Sequence, residues 1–527
     1  MKKIKIFLLL LLFLSAFFVR LYRFNNPVAD WHSWRQADTS AVSRNFIKGG
    51  FDILHPRFDD LSNVPSGFDN PQGYRFVEFP IYNLAQAGLF KVFGNFSIEQ
   101  WGRLVSIFAS LFSILFIYLL VKKYRGENAG FLSAFFFAFL PFNVYFGRTI
   151  LPDTSTVAAS LGGIYFFDRF LSVILSPSLS RVKNLERQRD PSRTFRMTLL
   201  FILSLIFTAS AFLLKPYALF FTLPMIYLAW KAFGLKVLVK WQIWLFVILT
   251  VAPLVLWRLW MTQYPAGIPV SAWLFNGGNI RFKGAFFQWI FADRIGRLIL
   301  GYWGLPIFVL GFLSLGTKML KPIRQAQAFG SEAQARRGGQ VQHDKEKNNM
   351  WFFLSFIFSS LLYIIVIARG NVQHDYYQIL IIPSIAIFLG LGTDFLMSAS
   401  KELFDRKTSY ILVAVCSLFM FLFGWYTVRD FFNINNPSII AAGEAVDRLT
   451  PKDAKVIALY NGDTSFLYQT KRQGWTSFEK DLPVMIKMGA EFMVLVNPSK
   501  NDLDFGKSYK IVSLTDQYML LDLTKKP

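Results

Sequence analysis

A chain of 527 residues that is 54% hydrophobic and only 17% charged leaves too little polar surface for an ordinary soluble protein, in which about 25% of residues are charged. Its net charge of +23 invites a nucleic-acid reading, but the basic residues cluster at the ends of apolar runs, so no nucleic-acid partner is expected. The single cysteine, Cys416, lies inside an apolar run and excludes an intrachain disulfide.

Apolar runs long enough to cross a bilayer core of about 30 Å recur along the chain. Spans are predicted near residues 5–20, 101–121, 128–146, 155–175, 197–214, 217–231, 241–258, 299–317, 351–368, 377–396 and 409–427, giving a polytopic α-helical membrane protein with about eleven transmembrane helices. The first run ends in Val19-Arg20-Leu21-Tyr22-Arg23 with no small-residue cleavage site, which favours a retained helix over a cleaved signal peptide. Basic residues then set the orientation. With a cytoplasmic N-terminus, the inside segments hold Lys2, Lys3 and Lys5, then Lys122, Lys123 and Arg125, then Arg181, Lys183, Arg187, Arg189, Arg193 and Arg196, then Lys231, Lys236 and Lys240, then Lys318, Lys321, Arg324, Arg336, Arg337, Lys345 and Lys347, and finally Lys401, Arg406 and Lys407. The short outside turns hold only Arg148, Lys215 and Arg369. Segment 318–350, with Gly338-Gly339, many Gln residues and mixed charge, reads as a flexible cytoplasmic linker.

Three segments are expected outside the cell membrane. The first outside loop covers 21–100. Segment 259–298 carries Trp273, Trp289, Arg281, Lys283, Arg294 and Arg297, a composition suited to a partly embedded surface helix. Residues 431–527 form a small soluble α/β domain after a membrane domain of residues 1–430. It has a helical pattern near Ser438–Leu449 and strand-like runs at Val456–Leu459, Phe492–Val496 and Tyr518–Leu521.

With this topology the polar clusters all fall on one face of the membrane, an arrangement that marks a site. Asp38 lies three residues after Arg35, so on a helix they share a face. There Asp38 can stay ionised and act as a base, or it can cap the following helix. Asp30 is a second carboxylate or a loop residue, and His32 binds phosphate or packs between Trp31 and Trp34. Glu78 precedes Phe79-Pro80, where an acid also complements a helix N-terminus. Asp153 in Leu151-Pro152-Asp153 reads as a helix cap or a site acid. Arg148 is the sole basic residue of its turn and pairs with a phosphate or reaches the headgroups. Lys215 stands before Pro216-Tyr217. His374, Tyr376 and Tyr377 open a span either as interfacial anchors or as donors to one phosphate.

Trp34-Arg35-Gln36-Ala37-Asp38-Thr39 with Ser43-Arg44-Asn45-Phe46, then Glu78-Phe79-Pro80, Gly102-Arg103, Arg148 with Leu151-Pro152-Asp153, and His374-Asp375-Tyr376-Tyr377 resemble the bacterial branch of the protein O-mannosyltransferase and aminoarabinose transferase superfamily. The resemblance runs from residue 1 to about 430. It implies a GT-C fold and transfer of a sugar from a polyprenyl-phosphate donor to a protein, lipid or glycan acceptor outside the cytoplasm, usually with inversion. It also implies a catalytic acid on the first outside loop, a role carried to Asp38 with Asp30 in reserve, and a second acidic motif at Glu78. One departure stands out: the Asp-Glu pair of the best-known relatives is missing, with Arg35-Gln36 in its place and Asp38 one helical turn on. Arg35, Arg148, Lys215, His374, Tyr376 and Tyr377 are the candidates for the donor phosphate. A divalent cation can replace some of that positive charge, but no ligand set is strong enough to predict one, and no cofactor is expected. Two other functions compete. A ligase or polymerase using a lipid diphosphate would need outside Arg and His without a catalytic acid. A lipid or glycan transporter would need polar residues at mid-depth in the spans.

Overall fold

The computed structural model describes residues 2–175, 191–328, 332–398 and 405–525. Arg181, Lys183, Arg187, Arg189 and Lys401 lie outside the described residues. The membrane part runs through α1 (Lys2–Arg20), α2 (Ser33–Gly49), α3 (Ile81–Phe93), α4 (Ile98–Arg125), α5 (Glu127–Phe139), α6 (Pro141–Phe146), α7 (Pro152–Leu175), α8 (Pro191–Leu214), α9 (Leu223–Phe233) and α10 (Trp241–Met261). Short pieces α11 (Trp273–Asn276) and α12 (Gly284–Phe287) and a π-helix, Gln288–Ile299, lead to α13 (Leu305–Ala328), α14 (Glu332–Val366), α15 (Ala368–Gln373), α16 (Ile382–Ser398) and α17 (Arg406–Val428).

Every one of the eleven expected spans contains helix, but among the described residues eight helical segments are long and apolar enough to cross a membrane. One shortfall has a local cause. The span expected at 128–146 breaks at Leu140, whose extended ψ of 121° ends α5, and Pro141 restarts the chain as α6. Proline lacks the N–H a continuous helix would need there, yet fits a first helical turn. Within the segment expected as a linker at 318–350, the described residues 318–328 and 332–350 are helical, in α13 and α14. The helix of the eighth span also starts at Leu305, because residues 288–299 coil as the π-helix. Helix α16 is the hub of the bundle and is almost wholly buried, whereas α10 and α17 turn most of their apolar surface outward. Glycine makes the hub possible: a Cβ on Gly390 would stand 2.1 Å from the Ser133 hydroxyl, and one on Gly392 1.9 Å from the Ile307 carbonyl. Small residues at such contacts let helix backbones approach closely.

Helix α2 is unusual, being polar on most of its circumference and yet buried. Its groups are satisfied by neighbours: Gln36 donates to Asp30 at 2.7 Å, Ser43 to Gln86 at 2.7 Å, and Asn83 to the Thr39 carbonyl at 2.6 Å. A buried polar helix is tolerable when its network is nearly complete, and on α2 the Arg44 Nε alone lacks a partner among the buried side-chain atoms described.

The C-terminal part holds α18 (Pro437–Leu449), β1 (Lys455–Ala458), α19 (Thr464–Thr470), β2 (Gly474–Trp475), α20 (Leu482–Lys487), β3 (Ala490–Val496), α21 (Lys500–Gly506), β4 (Lys510–Leu514) and β5 (Tyr518–Asp522). The sheet order is β2-β1-β3-β5-β4, with β1 parallel to β2 and β3, and β5 antiparallel to β3 and β4. The three strand-like runs and the helix at 438–449 are all found. Strands β2 and β4 were not expected; β2 is two residues long and the exposed β4 lacks an apolar run. The first loop docks on this sheet, as the Leu61 N–H donates to the Gly474 carbonyl at 2.7 Å and the Gly474 N–H to the Asp59 carbonyl at 3.0 Å.

Candidate active site

At the bundle end that carries the first loop, a cavity of about 490 Å³ opens between helices, loop and C-terminal domain. Of the residues expected at the site, Arg35, Asp38, Glu78, Lys215, His374, Tyr376 and Tyr377 line it, while His32, Asp30, Arg148 and Asp153 do not.

Helix α2 starts at Ser33, so Asp38 sits in its second turn and caps nothing. Arg35 and Asp38 do share that helix, but each takes its charge partner from the loop. Arg35 pairs with Glu78, and Arg75 donates to Asp38 Oδ2 at 2.6 Å. The other oxygen of Asp38 accepts from the Thr464 hydroxyl at 2.7 Å. Burial alone would lower Arg35, but Glu78, Tyr376 and Asp38 outweigh it and hold the guanidinium above its ordinary value. Glu78 is held below its ordinary value because Arg35 and Lys215 outweigh the cost of its burial. Glu78 lies ahead of α3, which begins at Ile81, and its ion pair replaces the expected role at that helix end.

Lys215 closes α8 and pairs with Asp153 in the first turn of α7. Its ammonium lies 5.4 and 5.3 Å from the ring centres of Tyr376 and Tyr377. His374 stands among Trp34, Trp273 and Tyr376, with ring centres 5.8, 5.9 and 5.5 Å away. Burial, followed by His32, pushes its imidazole down to about 4, so it is neutral at pH 7. His32, at a left-handed φ of 53°, turns its ring to Asp375 at 2.6 Å, and Trp31 donates to the same carboxylate at 2.9 Å. His32 therefore ties the first loop to residue 375.

The Arg148 expectation changes most. Its guanidinium is 1% exposed and bonds to Asp30 at 3.1 Å and to the Arg23 carbonyl at 3.0 Å. Phe432 covers it, its ring centre 4.8 Å away. Asp30 also takes Gln36, and its backbone carbonyl takes Asn435 at 2.9 Å. This sealed pair joins α2, the 148–151 turn and the C-terminal segment behind the cavity.

Asp60, Arg75, Arg258 and Thr464 also line the cavity and were not expected there. Asp60 accepts from the Ser62 N–H and hydroxyl, and burial pushes it up to about 7. Arg75 and Thr464 hold Asp38. Arg258, near the end of α10, is the one lining cation without an ion pair among the described residues. The signal that flags Lys215, a basic residue at the site end of a span, applies equally to Arg258. Among the described residues no three His, Cys, Asp or Glu side chains converge as a metal site.

The fold is that of the GT-C membrane glycosyltransferases. ArnT from Cupriavidus metallidurans in the apo state aligns with a TM-score of 0.59 at 11% identity, covering 97% of both chains. ArnT from the same organism bound to undecaprenyl phosphate aligns at 0.57 and 12% identity, again over 97% of both. The apo oligosaccharyltransferase of Archaeoglobus fulgidus aligns at 0.57 and 12% identity, covering 92% of this chain and 69% of that one. The family described as dolichyl-phosphate-mannose-protein mannosyltransferase (PMT_2) matches residues 73–173, a stretch from within the first loop to the last turn of α7. The chain thus has the GT-C fold, and its residues 73–173 match that family's model. No curated protein sequence matches it.

Proposed function

We propose that this protein transfers a sugar from a polyprenyl-phosphate donor to an acceptor hydroxyl on the non-cytoplasmic face of the membrane, with inversion. The observation that carries the reading is one cavity that gathers a held carboxylate, Asp38, with Lys215 and Arg258, which has no ion pair among the described residues, at the mouth of a helical bundle. The ArnT structure with undecaprenyl phosphate makes a lipid monophosphate the natural donor class. The orientation rests on the basic residues, which gather at the other ends of the spans.

In this reading Asp38 accepts the proton of the acceptor hydroxyl as its oxygen attacks the anomeric carbon. The bond from that carbon to the phosphate oxygen breaks, and the electron pair leaves with the polyprenyl phosphate. Lys215 and Arg258 stabilise the charge that develops there. Arg75 and Thr464 occupy two of the roughly four lone-pair sites of the Asp38 carboxylate, leaving others for the acceptor. Attack opposite the leaving phosphate inverts the sugar. Trp34, Trp273, Tyr376 and Tyr377 give the wall an aromatic surface for the sugar ring and first prenyl units. Glu78 keeps Arg35 in place, and Asp153 does the same for Lys215.

The test is purified protein given a labelled polyprenyl-phosphate sugar. Release of polyprenyl phosphate that vanishes in Asp38→Asn supports the reading. Undiminished turnover in that variant reassigns the base, and lipid movement without bond cleavage makes the protein a transporter.

A further inference from the structure

The carboxylate placed as the base has a partner from the far end of the chain. Thr464 opens α19 in the C-terminal domain, and both it and Gly462 line the cavity. Its Oγ1 lies 2.7 Å from Asp38 Oδ1 and 3.1 Å from the Trp34 carbonyl. A hydroxyl has one hydrogen and lone pairs to spare, so these two acceptors compete for it. While Asp38 is ionised the hydrogen belongs on the carboxylate, where the bond is charge-assisted and stronger. Once Asp38 holds a proton, it can donate to Oγ1 while the threonine turns its hydrogen to Trp34. The partner at Oδ2, Arg75, donates only; it keeps an acceptor in the neutral acid, but its charge favours the ionised form.

The helix that carries Thr464 is anchored for such a task. Tyr468 donates to Ser40 or Glu99, and the Arg44 guanidinium lies over its ring at 4.0 Å and donates to its carbonyl at 3.1 Å. Gln469 donates to the Val28 carbonyl at 2.8 Å and Lys48 to the Lys471 carbonyl at 2.9 Å. These contacts fix α19 against the helix bearing Asp38. The other charges acting near Asp38 are Arg75, Arg35 with its partner Glu78, Asp60 and Asp463, and none of them is changed by a substitution at 464.

We infer that Thr464 is a positioning residue for Asp38, serving the carboxylate in both protonation states, so that the C-terminal domain completes the transferase site. The inference rests on the reading of Asp38 as the base. Full-length wild type, Asp38→Asn, Thr464→Val and Thr464→Ser, each given the labelled polyprenyl-phosphate sugar, test both ideas separately. Thr464→Val is expected to lower kcat about tenfold, or about 1.4 kcal/mol of barrier, with donor KM unchanged. The acid limb of its pH profile for kcat/KM should move up by about one unit, because of the two bonds lost the charge-assisted one to the ionised carboxylate is the stronger. Thr464→Ser, which keeps the hydroxyl, should recover most of the loss. If Thr464→Val does not fold, Thr464→Ala against Thr464→Ser isolates the same hydroxyl. An inactive Asp38→Asn beside a Thr464→Val with wild-type kcat and an unmoved limb overturns this inference and leaves the function standing. Equal losses in Val and Ser variants overturn it too, by showing a packing role. Equal turnover by wild type and Asp38→Asn removes both ideas.

Discussion

Asp30 and Asp38 lie eight positions apart, each paired with an arginine, and they have opposite surroundings. Asp30 and Arg148 face each other at 1% exposure, walled by Gln36, Asn435 and Phe432. Asp38 and Arg75 form a closer pair, at 2.6 Å against 3.1 Å, on a cavity wall, with a hydroxyl from another domain on the second oxygen. A sealed ion pair has no room for a substrate, and breaking it leaves a bare charge in a dry place. A pair on a cavity wall can exchange partners with what enters. Two carboxylates close in sequence and identical in chemistry are thus suited to different tasks, Asp30 to a structural one and Asp38, under the proposed function, to a reactive one.

Neutralising each acid breaks or sharpens the contrast. Asp38→Asn is expected to cost about 10²–10⁴-fold in turnover, with the thermal midpoint close to wild type; donor-release kinetics and a melting curve check it. Asp30→Asn is expected to behave in the reverse way. Losing the partner of a buried arginine costs about 3–5 kcal/mol, so the midpoint drops and the yield of folded protein falls. Turnover per folded molecule should stay within a few-fold. A well-folded, inactive Asp30→Asn would make Asp30 the base and reverse the assignment.

Arg258 gives a smaller effect on the same comparison. It lacks the carboxylate that occupies Arg35, Arg75 and Lys215, so its removal leaves no orphan behind. Arg258→Gln is expected to raise the donor KM about tenfold, the scale of one charged hydrogen bond, without lowering the melting point. An unchanged KM would take the phosphate away from this end of α10.

The helices were legible because length and apolarity alone mark them, and the gathering of polar motifs at one end followed from their order. What was not legible is which charge meets which. Spacing on α2 pairs Arg35 with Asp38, the nearest neighbours by helical geometry. The fold separates them through Glu78 and Arg75, which arrive from an irregular loop with no periodicity to read. Arg148 carried the right signal, a lone cation in an outside turn, yet its partner Asp30 was judged on its own sequence neighbours. Thr464 looked like any residue behind an Asp cap, and only docking of the C-terminal domain aims it 426 residues back along the chain. The helix over 318–328 and 332–350 was hidden by a composition typical of linkers.

The smallest predicted effect concerns pH, and it sets two cavity residues against each other. His374 is held down to about 4, against an ordinary value of about 6.5. Between those values the unfolded chain binds a proton that the folded chain refuses, so stability is lost as pH falls through that window. Asp60 is held up to about 7, against about 3.9 unfolded. There the folded chain keeps a proton the unfolded chain has released, so stability is lost as pH rises from about 4 to 7. In wild type the two slopes, each at most about 1.4 kcal/mol per pH unit, oppose one another. Removing either exposes the other: the melting point of His374→Gln should fall from pH 4.5 to about 6.5, and that of Asp60→Asn should rise over the same range. Parallel profiles for wild type and both variants would show that the cavity wall does not exclude water from these groups, and would leave Asp38 in a wetter site than the sealed pair behind it implies.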